Sequence, residues 1–421
     1  MDHVTINGDT ATIEGEKDIF KIIAKVNPPD PVDPSDTSGK LYEKLNEVYK
    51  GAYSSGDENF IELKNIIANA GIKGDGDYTE VTDEQQLKTL LAYLKEIYTN
   101  SPYSFTSDAS RKSMGMFRDI IRENNFKALD DEWIIYGGLT HNDGSREQTY
   151  YGKNYHKFDT GAYDNSADIK ITGAYAQAEY GIDNTLSAGV LFGGNKSDIE
   201  VSHSKADGTS MYLGGYLKKD IRDFRITAGA GIQYSEYDAE RNMSNRQYDD
   251  KYSDNAFDIY VNTKYFYEIS EGLFFEPYGQ FSYSYVDQEG ISENDGALSL
   301  NVDDKDFTFA EGTIGADLRK EIIKDNIKHN FKAGVSYTRL LDDYKEDNLT
   351  ADFGGNSFDL LVPHKTPDEL RIGVRYELER TDGLMFSANA DYLISMDSKD
   401  NGHKNENKDE WRIGAGIGYR F

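Results

Sequence analysis

The sequence predicts a membrane all-β fold, a 12-stranded antiparallel up-and-down β-barrel behind an N-terminal helical segment. Three observations predict it. From Glu132 to the last residue, apolar and polar side chains alternate with period two in segment after segment. The connections between those segments are alternately short and long. Upstream of residue 132 the pattern changes, with apolar residues recurring every three or four positions.

Taken from the amino terminus, residues 1–26 alternate only weakly, and "NPPDPVDPSD" (27–36) is a proline-broken linker. Residues 39–71 and 84–99 read as amphipathic helices. The stretch "TSDASRKSMGMFRDIIREN" (106–124) is a further helix, with Ser107 or Asp108 expected as its N-cap. Its length of roughly 25 Å matches the height of a barrel's apolar band. Arg111, Arg118 and Arg122 are spaced to share one face of it. The expected divisions are 1–38, 39–105, 106–125 and 132–421.

The alternating segments begin near Glu132, Asp168, Thr185, Ser210, Phe224, Phe257, Leu273, Phe307, His329, Glu369, Leu384 and Glu410. In the fifth, Phe224, Ile226, Ala228, Ala230, Ile232 and Tyr234 oppose Arg225, Thr227, Gly229, Gly231 and Gln233. In the last, Trp411, Ile413, Ala415, Ile417, Tyr419 and Phe421 oppose Glu410, Arg412, three glycines and Arg420. Short connections such as "DN" (183–184), "KDN" (324–326) and "TDG" (381–383) would form one rim. Polar stretches at 142–166, 238–255, 287–304, 342–367 and 397–409 would form the other. A soluble sandwich would mix long and short loops at both ends, and a propeller would repeat at a fixed interval. One face is too charged for a packed core while the other is apolar and aromatic, the arrangement of a wet lumen inside lipid.

Composition narrows the function. The formal charge of −29 argues against nucleic acid, which needs basic surfaces. Cysteine is absent, so disulfides and thiolate metal sites are excluded. No apolar stretch reaches the roughly 18 residues of a membrane helix, but barrel strands need only about 9–11 alternating residues. The first 20 residues hold no apolar core of a signal peptide, so export would need a signal outside this chain. The histidines fall in no metal-ligand spacing, and "DDKD" (303–306) lacks an EF-hand pattern. "GTSM" (208–211) and "DTG" (159–161) imitate protease motifs without a positioned histidine. "GAGIGY" lies in an alternating strand with no helix after it, so it is no phosphate loop. No cofactor, metal or catalytic set is expected.

Three places carry a family resemblance. The end "GIGYRF" is similar to the terminal-strand signal of outer-membrane barrels, with Gly416, Tyr419 and Phe421 in the matching positions and Gly414 departing where a polar residue is usual. "DEWIIYGGLTH" (131–141) is similar to a tryptophan-bearing first strand, and residues 90–121 look like a pre-barrel helical region. Together they resemble the translocator domain of autotransporters, the type V secretion family. The resemblance implies a bacterial outer-membrane barrel that exports its own N-terminal passenger and is inserted by the barrel assembly machinery. The short-turn rim and the C-terminus would be periplasmic and the long loops extracellular. Residues 1–38 would then be a passenger remnant and linker, and the protein a monomer among outer-membrane lipid and lipopolysaccharide. Size supports a threaded helix independently, since 12 strands leave room for one helix of about 10–12 Å diameter. Arg111, Arg118 and Arg122 would face lumen carboxylates such as Glu276, Asp317, Glu377 and Asp391. The Asn124-Asn125 step, similar to the cleavage step of some family members, lies at the helix's C-terminal end, where a capping role is expected. A porin-like diffusion channel with a helical plug, or a loop-rim enzyme, would be the rival functions.

Overall fold

The computed structural model describes residues 3–7, 10–14, 101–150, 163–243, 246–294, 296, 299–342, 347–353, 356–362, 368–396, 398–400, 403–405 and 409–421. The expected helices at 39–71 and 84–99 and the "DTG" stretch lie outside these residues. A small antiparallel hairpin, His3–Asn7 with Thr10–Glu14, stands in the N-terminal stretch.

Twelve strands form the barrel: β1 (Trp133–Tyr150), β2 (Tyr163–Gly181), β3 (Leu186–Val201), β4 (Ser204–Ile221), β5 (Phe224–Met243), β6 (Arg246–Tyr265, resuming at Tyr267–Ser270), β7 (Leu273–Gln288), β8 (Lys305–Lys324), β9 (Ile327–Leu340), β10 (Asp368–Arg380), β11 (Leu384–Ser395) and β12 (Glu410–Arg420). Each pairs antiparallel with its neighbours in sequence. Closure comes from β12 on β1, in a register running from Trp411↔Asp143 to Arg420↔Ile134. Beyond it, the Trp133 N–H donates to the Phe421 carbonyl (2.9 Å) and the Phe421 N–H to the Trp133 carbonyl (3.0 Å). No free edge is left within the closed cylinder.

Period two sends the apolar set outward. Ile135, Leu139, Val190, Leu213, Ile232, Ile259, Ile314, Val374 and Ile417 are exposed on the outer wall. Aromatic side chains stand at its margins, including Trp133, Tyr419 and Phe421 at the short-turn rim and Tyr234 and Phe257 toward the other. Among the described residues no helix is long and apolar enough to cross a membrane; strands do the spanning.

Several strands are longer than their alternation. β2 begins at Tyr163 rather than Asp168, β4 at Ser204 rather than Ser210, and β6 at Arg246 rather than Phe257. The described residues of the expected loops 142–166 and 238–255 are therefore strand. The reason is visible on β5, where outward Ile232 and Tyr234 give way to Glu236, Asp238 and Glu240 while inward Tyr237, Ala239 and Arg241 stay buried. Past the apolar band the outer face becomes polar, but the backbone ladder continues. Parts of 287–304 and 342–367 also fold: Ile291–Ser292, Asn301–Val302, Asp347–Phe353 and Asn356–Val362 make a four-stranded sheet. It buries Ile291, Leu300, Val302, Leu349, Leu360 and Val362 beside Tyr103 and Phe105.

Helix α1 (Tyr103–Glu123) runs inside the barrel. It begins before residue 106, and neither Ser107 nor Asp108 caps it. Pro102 occupies the N-cap position without a side-chain cap, and the buried Tyr103 and Phe105 anchor the first turn instead. At 21 residues, α1 is about 31 Å long. Asn124, in extended conformation, is its C-cap, and its N–H donates to the Ile120 carbonyl (3.3 Å).

Candidate functional site

The lumen and its helix form the site. α1 lies off-centre, close to β2–β7. Its face toward them carries small hydroxyl side chains that permit close approach. Ser110 donates to Asp254 (2.9 Å), Ser113 to Gln233 (2.6 Å), and Asn195 donates to Ser113 (2.5 Å). Tyr252 and Tyr237 donate to the hydroxyl and carbonyl of Thr106 (3.1 and 3.2 Å). Lower down, Phe117 stacks on Tyr212 (5.3 Å between centroids) and fills the space over Gly193, where a Cβ would come within 2.3 Å of its ring. A glycine is required there because the helix is seated directly on the strand.

The opposite face of α1 reaches β6, β8, β10 and β12 through long charged side chains. Arg111 pairs with Glu311 (2.6 Å) and Asp108 (2.9 Å), and Arg118 with Glu311 (3.3 Å) and Asp258 (3.8 Å). Arg122 pairs with Asp119 (3.2 Å) and Glu123 (2.8 Å) on its own helix. Those two carboxylates in turn engage the wall: Asp119 meets Arg412 (3.0 Å) and Arg371 (3.4 Å), and Glu123 meets Arg371 and Arg375. Lys112 donates to Glu410 (2.5 Å), which also accepts from Asn142 (2.6 Å). Between helix and wall remain polar cavities of about 60, 40 and 30 Å³. That is space for a few water molecules and for no second chain.

The four carboxylates expected opposite the arginines all face the interior, yet none touches Arg111, Arg118 or Arg122. Glu276 pairs with Arg319 and Lys264, Asp317 with Lys264 (3.0 Å) and Lys332 (3.9 Å). Glu377 pairs with Arg375 (3.8 Å) and accepts the Asn125 N–H (3.2 Å), and Asp391 pairs with Arg371 (2.7 Å). Glu377 thus meets the chain leaving α1, while Asp391 acts through Arg371. Parity could have found Glu311, which shares the inward phase of Asp317, and Asp258, which follows the outward Phe257. Parity does not say on which side of the helix a carboxylate falls.

Both ends of the helix are fastened. At the long-loop rim Tyr103 donates to Glu293 (2.8 Å), which is clamped by two donors of Arg241 (2.8 and 2.6 Å) and by the Leu300 N–H (2.7 Å). At the short-turn rim, residues 124–131 return to β1 along the inner wall. Arg375 donates to the Asn124 side chain (3.0 Å) and Arg225 to the Asn125 carbonyl (3.1 Å). The fully buried Lys218–Glu179 pair (2.8 Å) then grips the backbone on both sides of Lys127. Lys218 donates to the Phe126 carbonyl (2.9 Å), and Glu179 accepts the Ala128 N–H (3.0 Å). Lys127 itself meets Asp220 (2.9 Å), and its carbonyl accepts from Arg420 (3.1 Å). At Gly181 the returning chain passes so close that a Cβ would sit 1.6 Å from the Leu129 carbonyl oxygen.

On the terminal strand Tyr419 and Phe421 point outward with their rings 6.4 Å apart, and Gly416 faces inward beneath Tyr136. Ser210 of the protease-like stretch is buried in β4 and donates to Ser235 (2.9 Å).

A family model, the autotransporter β-domain, matches residues 148–391, more than half of the chain. The chain belongs to the autotransporter family. Its fold is similar to the translocator domain of the autotransporter NalP from Neisseria meningitidis, with a TM-score of 0.55 at 14% identity over 76% of this chain and 98% of that one. The β-domain of the Bordetella autotransporter BrkA also resembles it, with a TM-score of 0.45 at 12% identity over 67% of this chain and 98% of that one. No curated protein matches by sequence. In this autotransporter β-domain, a helix held at both rims fills the lumen of an outer-membrane barrel.

Proposed function

We propose that the barrel anchors the chain in the bacterial outer membrane and supports export of its own N-terminal passenger to the cell surface, with α1 as the trailing segment left in the pore. One observation carries this reading: α1 begins at the long-loop rim, ends at the short-turn rim and occupies the lumen between them. A chain on that path has its upstream residues outside the cell if the short turns and the C-terminus are periplasmic. Residues 1–38 then lie on the passenger side of the chain with its linker, 39–102 form a pre-barrel region, α1 is the pore segment and 132–421 the anchor. The role is transport and attachment, not catalysis.

The outward Tyr419 and Phe421, with Gly416 facing inward on the same strand, suit recognition by the barrel assembly machinery, and the apolar wall suits outer-membrane lipid and lipopolysaccharide around a monomer. Arg111, Arg118 and Arg122 hold the trailing helix through Glu311, Asp258 and the Asp119–Glu123 pair. The test is single-channel conductance in planar bilayers, comparing the whole chain with one starting at residue 126. A closed whole chain beside an open truncation is expected. Equal, large conductance from both would put α1 outside the pore and favour a porin-like channel.

A further inference from the structure

Among the described residues the outer wall carries a concave feature that export does not use. An open apolar groove of about 590 Å³ crosses β7–β11. The register explains its shape. One row across the sheet reads Phe331, Tyr376, Ala388, and the next reads Leu318, Ala333, Val374, Ala390. Small side chains at Ala333, Ala388 and Ala390 make a floor, beside which Leu318, Phe331 and Tyr376 rise. On β7 the groove starts at Leu273, the first residue of the strand, whereas on β11 it reaches Ala390, well inside the apolar band. It therefore runs from the short-turn rim up into the hydrocarbon zone. At its rim end stands Lys320, whose ammonium donates to the Glu271 carbonyl (2.9 Å) in the turn before β7. One positive charge is thus held at rim level on the outer face.

In hydrocarbon no water is released when a lipid chain meets an apolar wall, so a flat wall favours no particular lipid. A concave wall differs, because a chain lying in it makes dispersion contacts on several sides. A fixed ammonium at the mouth adds preference for an anionic headgroup. We propose that this groove binds an anionic glycerophospholipid of the leaflet at the short-turn rim, with one acyl chain along Ala333, Ala388 and Ala390 and the phosphodiester against Lys320. The proposal rests on the membrane-barrel reading above, and the naming of the leaflet rests on the orientation given there.

Native mass spectrometry of the whole chain, released from detergent containing dioleoylphosphatidylglycerol, tests it. One retained lipid per chain is expected, with phosphatidylglycerol preferred over phosphatidylethanolamine. Ala390→Phe fills the groove and should abolish retention. Lys320→Gln should lower phosphatidylglycerol retention about fivefold and erase the headgroup preference. Heat-modifiable gel mobility shows that each variant is folded. Equal retention by all three folded proteins, or no retained lipid on the wild type, would overturn the proposal. Dimers that Ala390→Phe removes would overturn it in favour of a second copy of the chain. A wild type that binds no lipid while α1 still blocks conductance would sink the lipid site alone. Lipid binding with an open pore would sink only the translocator reading.

Discussion

Removing Glu179 should loosen the helix at its short-turn end more than any surface change could. Its carboxylate accepts from Lys218 (2.8 Å), Ser187 (2.8 Å), Tyr216 (2.9 Å) and the Ala128 N–H (3.0 Å), and both members of the ion pair are sealed from solvent. In Glu179→Ala the ammonium of Lys218 stays buried without its counter-ion, a situation that costs about 3–5 kcal/mol. Lys218→Met leaves the carboxylate with three neutral donors and should cost less, about 2–3 kcal/mol. The double variant removes both charges and loses two hydrogen bonds to the returning backbone, at about 1 kcal/mol each. A double-mutant cycle by denaturant unfolding in micelles should therefore return a coupling of about 3–6 kcal/mol. Conductance recorded in parallel should show the single Glu179 variant flickering open, because the grip on residues 126–128 is lost. Additive single-variant losses, or a Glu179→Ala barrel within about 1 kcal/mol of wild type, would refute the assignment of this pair as the fastening.

At Gly193 a valine would displace Phe117 from β3; a loss of about 1–3 kcal/mol and a higher open probability in bilayers are expected, and an unchanged closed channel would argue against close seating of the helix. Glu293→Gln at the long-loop end removes the charge facing Arg241, and proteolysis of the residues upstream of α1 should extend into the helix faster than in wild type; identical digestion kinetics would mean that the clamp is inert. Asp183, in the turn between β2 and β3, accepts from the Thr185 hydroxyl and N–H (2.6 Å each) and the Leu186 N–H (2.8 Å), which hold its carboxyl down at about 2. Because that value lies below the ordinary Asp range, the turn's stabilisation is fully present above about pH 4 and is lost as pH falls through 2. Carboxyl NMR titration should find that low midpoint, and an ordinary one near 4 would show the turn bonds to be absent.

How much of this was written in the order of residues depends on where lipid meets the chain. Between Phe224 and Tyr234, or Trp411 and Phe421, the bilayer requires an apolar side chain at every second position, so strand, face and rim could be read directly. Beyond Tyr234 that demand ends, and the strand continues to Met243 on ladder hydrogen bonds that leave no period-two mark. The same holds for β6, whose start at Arg246 precedes its first outward aromatic by a long polar stretch. The helix starts earlier than its local cap signals for a related reason, because Tyr103 and Phe105 are anchored by loop residues remote in sequence rather than by a local cap.

The sequence alone determined a lipid-facing barrel, an even strand number, a helix of spanning length and the inward phase of its acids, since each follows from a local period imposed by solvent. Only the tertiary structure decided which acid meets which arginine. That choice depends on the helix lying against β2–β7, which brings Arg111 and Arg118 to Glu311 and leaves Glu276 and Asp317 to lysines and an arginine of the wall. The side of the lumen a helix prefers is set by small residues such as Gly193 and Ser113 meeting across strands far apart in sequence, and no local period encodes it.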